Sequence, residues 1–379
     1  LPEDLPATLH VQLQEADIAA RRAALDFASH LRTTFSPRAP QAEGVGPRRH
    51  ALWMRRILGT RVDPEETYAW ASEELARVIA EQDAIAVDIL GSGADAYRLN
   101  RHLRADPTHA LLPRDYTTWA QEVADEAWDA VVGRVLDPPD GLGRPRVSLG
   151  EPGAGAVHYE EPRGTGGERR PGMVLRSLAD GEQLVWPWME RTAVLHESVP
   201  GHHVHAGAHA TSTRLTAWQR YLGSVPGCDE GWGLYAESLA DELGLMPTPE
   251  DRFGRLAARR WRLARVLVDL GVHSRLPVPD DVAALPGAGR EWSRATVTAV
   301  LRHHTVISEG RLRFEVSRHL GWPAQPLAYA VGERVWQAGR HSAQERARVE
   351  GGELDLRAFH NRGIDLGSVG LDLLANALH

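Results

Sequence analysis

Leu195-His196-Glu197-Ser198-Val199-Pro200-Gly201-His202-His203-Val204-His205 is the stretch on which the reading of this chain turns. The run Trp188–Leu195 ahead of it is compatible with a helix, which places the His196-Glu197 pair on one. Zinc hydrolases use a His-Glu pair on a helix with a second histidine one turn on. The imidazoles ligate the metal, and the carboxylate takes a proton from the water that the metal activates. The spacing here is unusual, because the residue one turn after His196 is Pro200. On an ideal helix His202 would stand about 9 Å further along the axis and on another face. Ligands of one zinc ion lie only about 2 Å from it. Pro200-Gly201 offers the remedy, since proline removes a helical hydrogen bond and glycine tolerates unusual dihedrals. A break there returns His202 to His196, while His203, which shares the ideal-helix face of His196, is the competing ligand. With His205 and His209, five of the 18 histidines crowd this segment. A histidine-rich helix end with satisfied imidazoles is the plain alternative. The pairing with Glu197 and the Pro-Gly break weigh toward metal binding.

A catalytic zinc site needs a third protein ligand and an open position. Asp229-Glu230-Gly231-Trp232-Gly233-Leu234-Tyr235-Ala236-Glu237 has helical character and supplies two acids seven residues apart, on one face. Glu230 is the first choice, at a helix end beside a glycine where a metal can approach. Glu237 is the alternative ligand, or an acceptor for the second nitrogen of a ligand histidine.

Composition narrows the remaining classes. The chain has 379 residues, 42% hydrophobic and 25% charged, with a net charge of −8, which suits a globular protein and disfavours a nucleic-acid partner. All 43 basic residues are arginine, so Schiff-base chemistry and a phosphate-loop lysine are excluded. Cys228 is the single cysteine, which excludes an intrachain disulfide or a multi-cysteine metal site. No apolar run of about 18 residues suggests a membrane span. The opening Leu1-Pro2-Glu3 does not read as a signal peptide, and the expected location is cytoplasmic.

Most of the chain reads as helix. Val11–Arg32 carries Ile18, Leu25, Phe27, Ala28 and Leu31 at helical spacing and ends at Ser36-Pro37-Arg38-Ala39-Pro40. Asp63-Pro64-Glu65-Glu66 announces a helix running to about Leu90, with Trp70, Leu75, Val78 and Ile79 facing inward. A third is expected over Thr117–Leu136. Strands are expected only in the Gly- and Pro-rich region between Gly141 and Gly181, as a small β element around residues 155–185. Breaks fall near Leu276–Pro279 and Leu320–Pro326. The expectation is a mainly α chain, one compact helical domain over 1–379 with an N-terminal helical lobe (1–140) and a metal-site lobe (141–379). Gly91-Ser92-Gly93-Ala94 imitates a dinucleotide fingerprint, but it continues a capped helix where that motif requires a strand. Gly164-Thr165-Gly166-Gly167 imitates a phosphate cradle but has no lysine, and reads as a loop.

The quoted residues resemble the bacterial "domain of unknown function 885" proteins. The likeness rests on His196-Glu197-x-x-Pro200-Gly201-His202-His203 and Glu230-Gly231-Trp232-x-Leu234-Tyr235-Ala236-Glu237. Downstream, Val268-Asp269-x-Gly271-x-His273, Trp322-Pro323-x-Gln325-x-Leu327-x-Tyr329-x-x-Gly332 and Leu354-Asp355-Leu356-Arg357-x-Phe359-His360 extend it. It covers 155–379 well and 60–90 weakly. Such proteins are regarded as relatives of the gluzincin metallopeptidases, which use two histidines and a glutamate. The resemblance therefore implies a zincin-like helical architecture and a zinc cofactor. Glu230-Gly231-aromatic also resembles the third-ligand motif of aminopeptidases in that class, which favours Glu230 over Glu237.

The resulting expectation is zinc held by His196, His202 and Glu230, with Glu197 as general base in cleavage of a peptide or other amide bond. Tyr329 and His273 are candidate oxyanion donors, with a core aromatic and a satisfied helix histidine as the equally weighted alternatives. His360 and Arg318 are candidates for binding a substrate carboxylate, with simple pairing to helix acids slightly favoured. The rival readings are a metal-dependent tailoring enzyme acting on a small biosynthetic metabolite, and a non-catalytic binding protein on the same fold. Intact His196-Glu197 argues against the last. No nucleic-acid or membrane partner is expected.

Overall fold

A computed structural model describes residues 6–40, 42–139, 141–151, 153, 156–163, 170–179 and 181–379. The Gly164–Gly167 loop expectation lies outside them. The chain divides into two compact units, Leu1–Glu43 and Gly44–His379. The first holds helix α1, Ala7–His30, none of whose residues is buried.

The second unit is mainly helical. It opens with α2 (Pro47–Leu58), α3 (Pro64–Leu90), α4 (Ala96–Ala105) and α5 (Pro113–Val131). Strands β1 (Arg146–Leu149), β2 (Val157–Glu160) and β3 (Met173–Arg176) follow. Then come α6 (Pro187–Glu197), α7 (His202–Thr211), α8 (Ala217–Tyr221), α9 (Pro226–Glu242) and α10 (Pro249–Ser274). The chain finishes with α11 (Asp280–Ala283), α12 (Arg294–His304), α13 (Glu309–Gly321), α14 (Leu327–Val349), α15 (Leu356–Ile364) and α16 (Leu371–Leu378).

Local signals account for the best-read helix. The Asp63 carboxylate accepts from Glu65 N at 2.9 Å and Glu66 N at 3.1 Å, and Pro64 occupies the first helical position. Gly91, at φ +89, ends α3, so Gly91-Ser92-Gly93 is a helix-to-helix turn with no strand before it. Leu75 and Val78 are buried, while Trp70 and Ile79 are half-buried against the same core. The third expected helix is shifted. Pro113 starts it four residues before Thr117, and it stops at Val131, because Gly133 turns at φ +76 and Val132 bridges to Leu136.

The sheet has the order β1-β3-β2, with β1 parallel and β2 antiparallel to β3. Its first strand lies upstream of the expected 155–185 interval, while β2 and β3 fall inside it. Among the described residues β2 is an edge strand.

The centre of the unit is the packing of α9 on α14. Gly231 and Gly332 face each other there, and a Cβ at Gly332 would overlap the Gly227 carbonyl oxygen. Trp232, Tyr235 and Trp336 fill the adjoining core with edge-to-face, tilted and stacked rings 4.8 to 5.7 Å apart. Gly332→Ala is expected to lower stability by about 1–3 kcal/mol, through forced separation of two backbones. Gly321→Ala, which has open space around its Cβ, should leave stability unchanged or slightly raised. Urea midpoints for both variants check this, and equal midpoints would contradict it.

Candidate metal centre

α6 ends at Glu197. Ser198 leaves helical geometry at φ −99, ψ −112, Gly201 sits at φ −77, ψ −134, and α7 begins at His202. The Val199–Pro200 peptide is cis. The chain folds back so tightly over the end of α6 that any Cβ on Gly201 would overlap the His196 carbonyl oxygen. Gly201 N donates to Leu195 O at 3.2 Å and His203 N to Ser198 O at 3.1 Å. The Trp232 indole pins the turn, donating to Pro200 O at 2.9 Å and Gly201 O at 3.1 Å. The break thus brings the His196 and His202 rings edge to face, with centroids 4.7 Å apart.

Glu230 meets them from the N-terminal part of α9. Its Oε2 lies 3.4 Å from Nε2 of His196 and 3.4 Å from Nε2 of His202. The three ligand atoms lie within 4.8 Å of one another and form a group that could hold a metal ion. Glu237 occupies the other side of His196, with Oε1 2.8 Å from Nδ1. Glu237 is itself held by Thr192 Oγ1 at 2.6 Å and Arg262 at 2.9 Å. A ligand histidine whose far nitrogen donates to a carboxylate is fixed in tautomer and made more basic. Gly233 completes the fit, because a Cβ there would collide with the His196 ring. His203 points elsewhere. Its Nε2 donates to Gly143 O at 2.8 Å, and Tyr159 Oη lies 3.0 Å from Nδ1.

The charges reinforce this geometry. Burial opposes a charge on His196, but Glu230 and Glu237 outweigh it and raise its pKa to about 10. Burial likewise works against the Glu230 carboxylate, yet the two imidazoles hold it well below the usual range. Such a field favours a cation at the Nε2 positions. Burial pushes the Glu197 carboxyl up, while His202 and His196 pull it back.

Around these groups lies a cavity of about 770 Å³ lined by His196, Glu197, His202, Glu230 and Tyr329, with Val157, His158 and Tyr159 of β2 on its wall. Tyr329 stacks near His196 at 6.4 Å. Arg318 also faces the cavity, donating to Gln325 Oε1 at 2.9 Å. Sequence reasoning overlooked its neighbours. Arg265, Arg311 and Arg318 converge on the single carboxylate Glu315 at 2.7, 3.1 and 3.6 Å, and all three line the cavity. Spacing along α10 and α13 gave no sign that these arginines meet.

Two expected site residues lie away from this cavity. His273 is fully buried; its Nε2 donates to His319 O at 2.8 Å and its Nδ1 accepts from Val45 N at 3.2 Å. Neither nitrogen remains for an oxyanion. Its neighbour Asp269 ties α10 to His50 at 2.8 Å and to Ala324 N at 2.8 Å. His360 is also fully buried, donating from Nδ1 to Val135 O and accepting at Nε2 from Tyr235 Oη, both at 2.9 Å. Both histidines are buried among packed elements, and neither lines the cavity.

Glu237→Gln is expected to weaken metal affinity by roughly 10–100-fold with the fold retained, measured by competition with a zinc chelator; unchanged affinity would contradict its orienting role. Stability should also depend on pH. Burial holds His360 down to about 4, and burial with adjacent arginines holds His304 and His319 down to about 3. In the unfolded chain these groups titrate near 6.5, so between the two values the unfolded state binds more protons. The stability that these three histidines contribute is therefore complete above about pH 6.5 and falls with acidification toward pH 4. Denaturant midpoints of the metal-free protein at pH 7 and pH 5 test this, and a higher midpoint at pH 5 would contradict it.

No protein with a curated description matches the sequence. Among the solved structures that share the fold are these two. One, from Colwellia psychrerythraea, is described as a "putative lipoprotein"; it aligns with TM-score 0.74 at 22% identity, over 90% of this chain and 57% of that one. The other, from Shewanella oneidensis, is described as a "putative lipoprotein of unknown function"; it aligns with TM-score 0.70 at 13% identity, over 99% of this chain and 67% of that one. This chain thus spans little more than half of the Colwellia protein. Among the described residues no helix is long and apolar enough to cross a membrane. Residues 2–378 match the family described as "Bacterial protein of unknown function (DUF885)", and the chain belongs to that family.

Proposed function

We propose that this chain is a zinc-dependent hydrolase of gluzincin type that cleaves a peptide or related amide bond. The observation that carries the reading is the convergence of His196, His202 and Glu230 within 4.8 Å, in a cavity that also holds Glu197. Two imidazoles and one carboxylate are the donor set of a catalytic zinc. A bound zinc ion supplies Lewis acidity, polarising a carbonyl and acidifying a water.

The chain's own groups perform the proton work. Glu197 takes a proton from the attacking water and delivers it to the leaving amine nitrogen as the C–N bond breaks. Burial raises its pKa above the ordinary carboxylate value, which strengthens it as a base. The Tyr329 phenol, kept protonated by burial and by Glu230, is the donor for the developing oxyanion.

Substrate class follows from the wall and the edge. Arg265 and Arg318 both reach the Glu315 carboxylate and line the cavity. Arg318 at the rim of this group binds a substrate carboxylate. Val157, His158 and Tyr159 of β2, an outer strand of the sheet among the described residues, line the same cavity, where an extended peptide can add as a strand. That edge favours a peptide over the rival reading, a small biosynthetic metabolite. On location, the description of the structural neighbours as lipoproteins argues against the cytoplasmic setting expected from the sequence and for a chain working at or beyond a membrane face.

Glu197→Gln is expected to keep zinc and lose about 10²–10⁴-fold in kcat on a peptide library. Full activity in this variant sinks the general-base role. His202→Ala should lose both zinc and activity. Arg318→Gln should raise KM for peptides with a free terminal carboxylate, with little change for their amidated counterparts; equal effects on both would remove the carboxylate-binding assignment.

A further inference from the structure

His205 and His209 are one turn apart on α7, so they share a face, and their rings meet edge to face with centroids 4.2 Å apart. Asp229, one residue before Glu230 on α9, reaches the same point, with Oδ1 3.7 Å from His205 Nδ1. One ligand atom from each of His205, His209 and Asp229 lies within 4.8 Å of the other two. None of the three belongs to the centre described above.

The decisive feature is His205. It is fully buried, and its Nδ1, directed at Asp229, has no hydrogen-bond partner. Leaving a polar atom orphaned at such depth is unfavourable, and a cation at this point would satisfy it. The surroundings are built as supports for ligands. His209 Nε2 donates to Ile364 O at 3.2 Å, which leaves Nδ1 as its coordinating nitrogen. Ser224 Oγ donates to Asp229 Oδ2 at 2.7 Å, which turns Oδ1 toward the histidines. Outer hydrogen bonds of this kind orient metal ligands.

We propose that His205, His209 and Asp229 form a second divalent-metal site, on the wall of the same cavity that holds the first. Two imidazoles and a carboxylate suit zinc or cobalt better than magnesium or calcium, which prefer oxygen ligands alone. His209 and Asp229 line the cavity, which gives the ion a path of entry. The two sites are built in parallel from α7 and α9: His202 and Glu230 serve one, His205, His209 and Asp229 the other. The second shares no ligand with the hydrolase centre and does not depend on that function.

The test is the zinc content of the full chain, measured by elemental analysis after zinc saturation and gel filtration. Two equivalents are expected in the wild type, one in Asp229→Asn, one in His202→Ala and none in the double variant. Asp229→Asn keeps the shape of the side chain; His209→Gln serves as a second variant, with far-UV circular dichroism to verify folding. One equivalent in the wild type, lost in His202→Ala but kept in Asp229→Asn, overturns the second site and leaves the hydrolase reading intact. One equivalent lost in Asp229→Asn but kept in His202→Ala supports the second site and overturns the first. Two equivalents retained in both Asp229→Asn and His209→Gln overturn the proposal.

Discussion

The backbone reversal at Ser198–Gly201 is the constraint from which the rest of the centre follows. Two imidazoles six residues apart share an ion only if the helix between them stops and restarts. Gly201 permits that by admitting the His196 carbonyl where any side chain would collide. The cluster of roles on α9 makes the reversal durable. Trp232 clamps the turn by two hydrogen bonds, Gly233 leaves space for the His196 ring, Glu230 closes the ligand triangle, and Glu237 orients His196 from behind. Gly231 then seats the whole helix against α14. The Glu230–Glu237 motif is therefore a single mechanical part with acids on the side facing α6.

Electrostatics divides the cavity. Carboxylates Glu197 and Glu230 surround the position suited to a cation, and arginines of α10 and α13 line another wall. A chain with net charge −8 thus has arginines as well as carboxylates along one cavity. Net charge describes solubility and long-range steering, and says little about the polarity of one cleft.

What could be read from the sequence divides along the same physical line. α3 was legible because its signals are local: an Asp63 cap, Pro64 and acids in the first turn. The mainly helical class and a small β element were legible for similar reasons. Convergence of His196, His202 and Glu230 was legible because the spacing problem and its Pro-Gly solution sit next to each other. His273 and His360 were not, since their partners Val45, His319, Val135 and Tyr235 come from segments that meet only in the folded chain. A buried histidine in a motif looks the same as a reactive one until those partners are seen. The arginine cluster on Glu315 and the pairing of Asp229 with His205 were hidden for the same reason. The end of α5 at Val131, five residues before Leu136, turned on Gly133 adopting positive φ, where helical periodicity alone favoured continuation.

Anomalous diffraction at the zinc edge, from crystals of the zinc-loaded chain, tests the central geometry most directly. The expected result is a peak about 2.0–2.2 Å from Nε2 of His196, Nε2 of His202 and a carboxylate oxygen of Glu230. A chain that takes up zinc yet shows no anomalous density between those three atoms would contradict it.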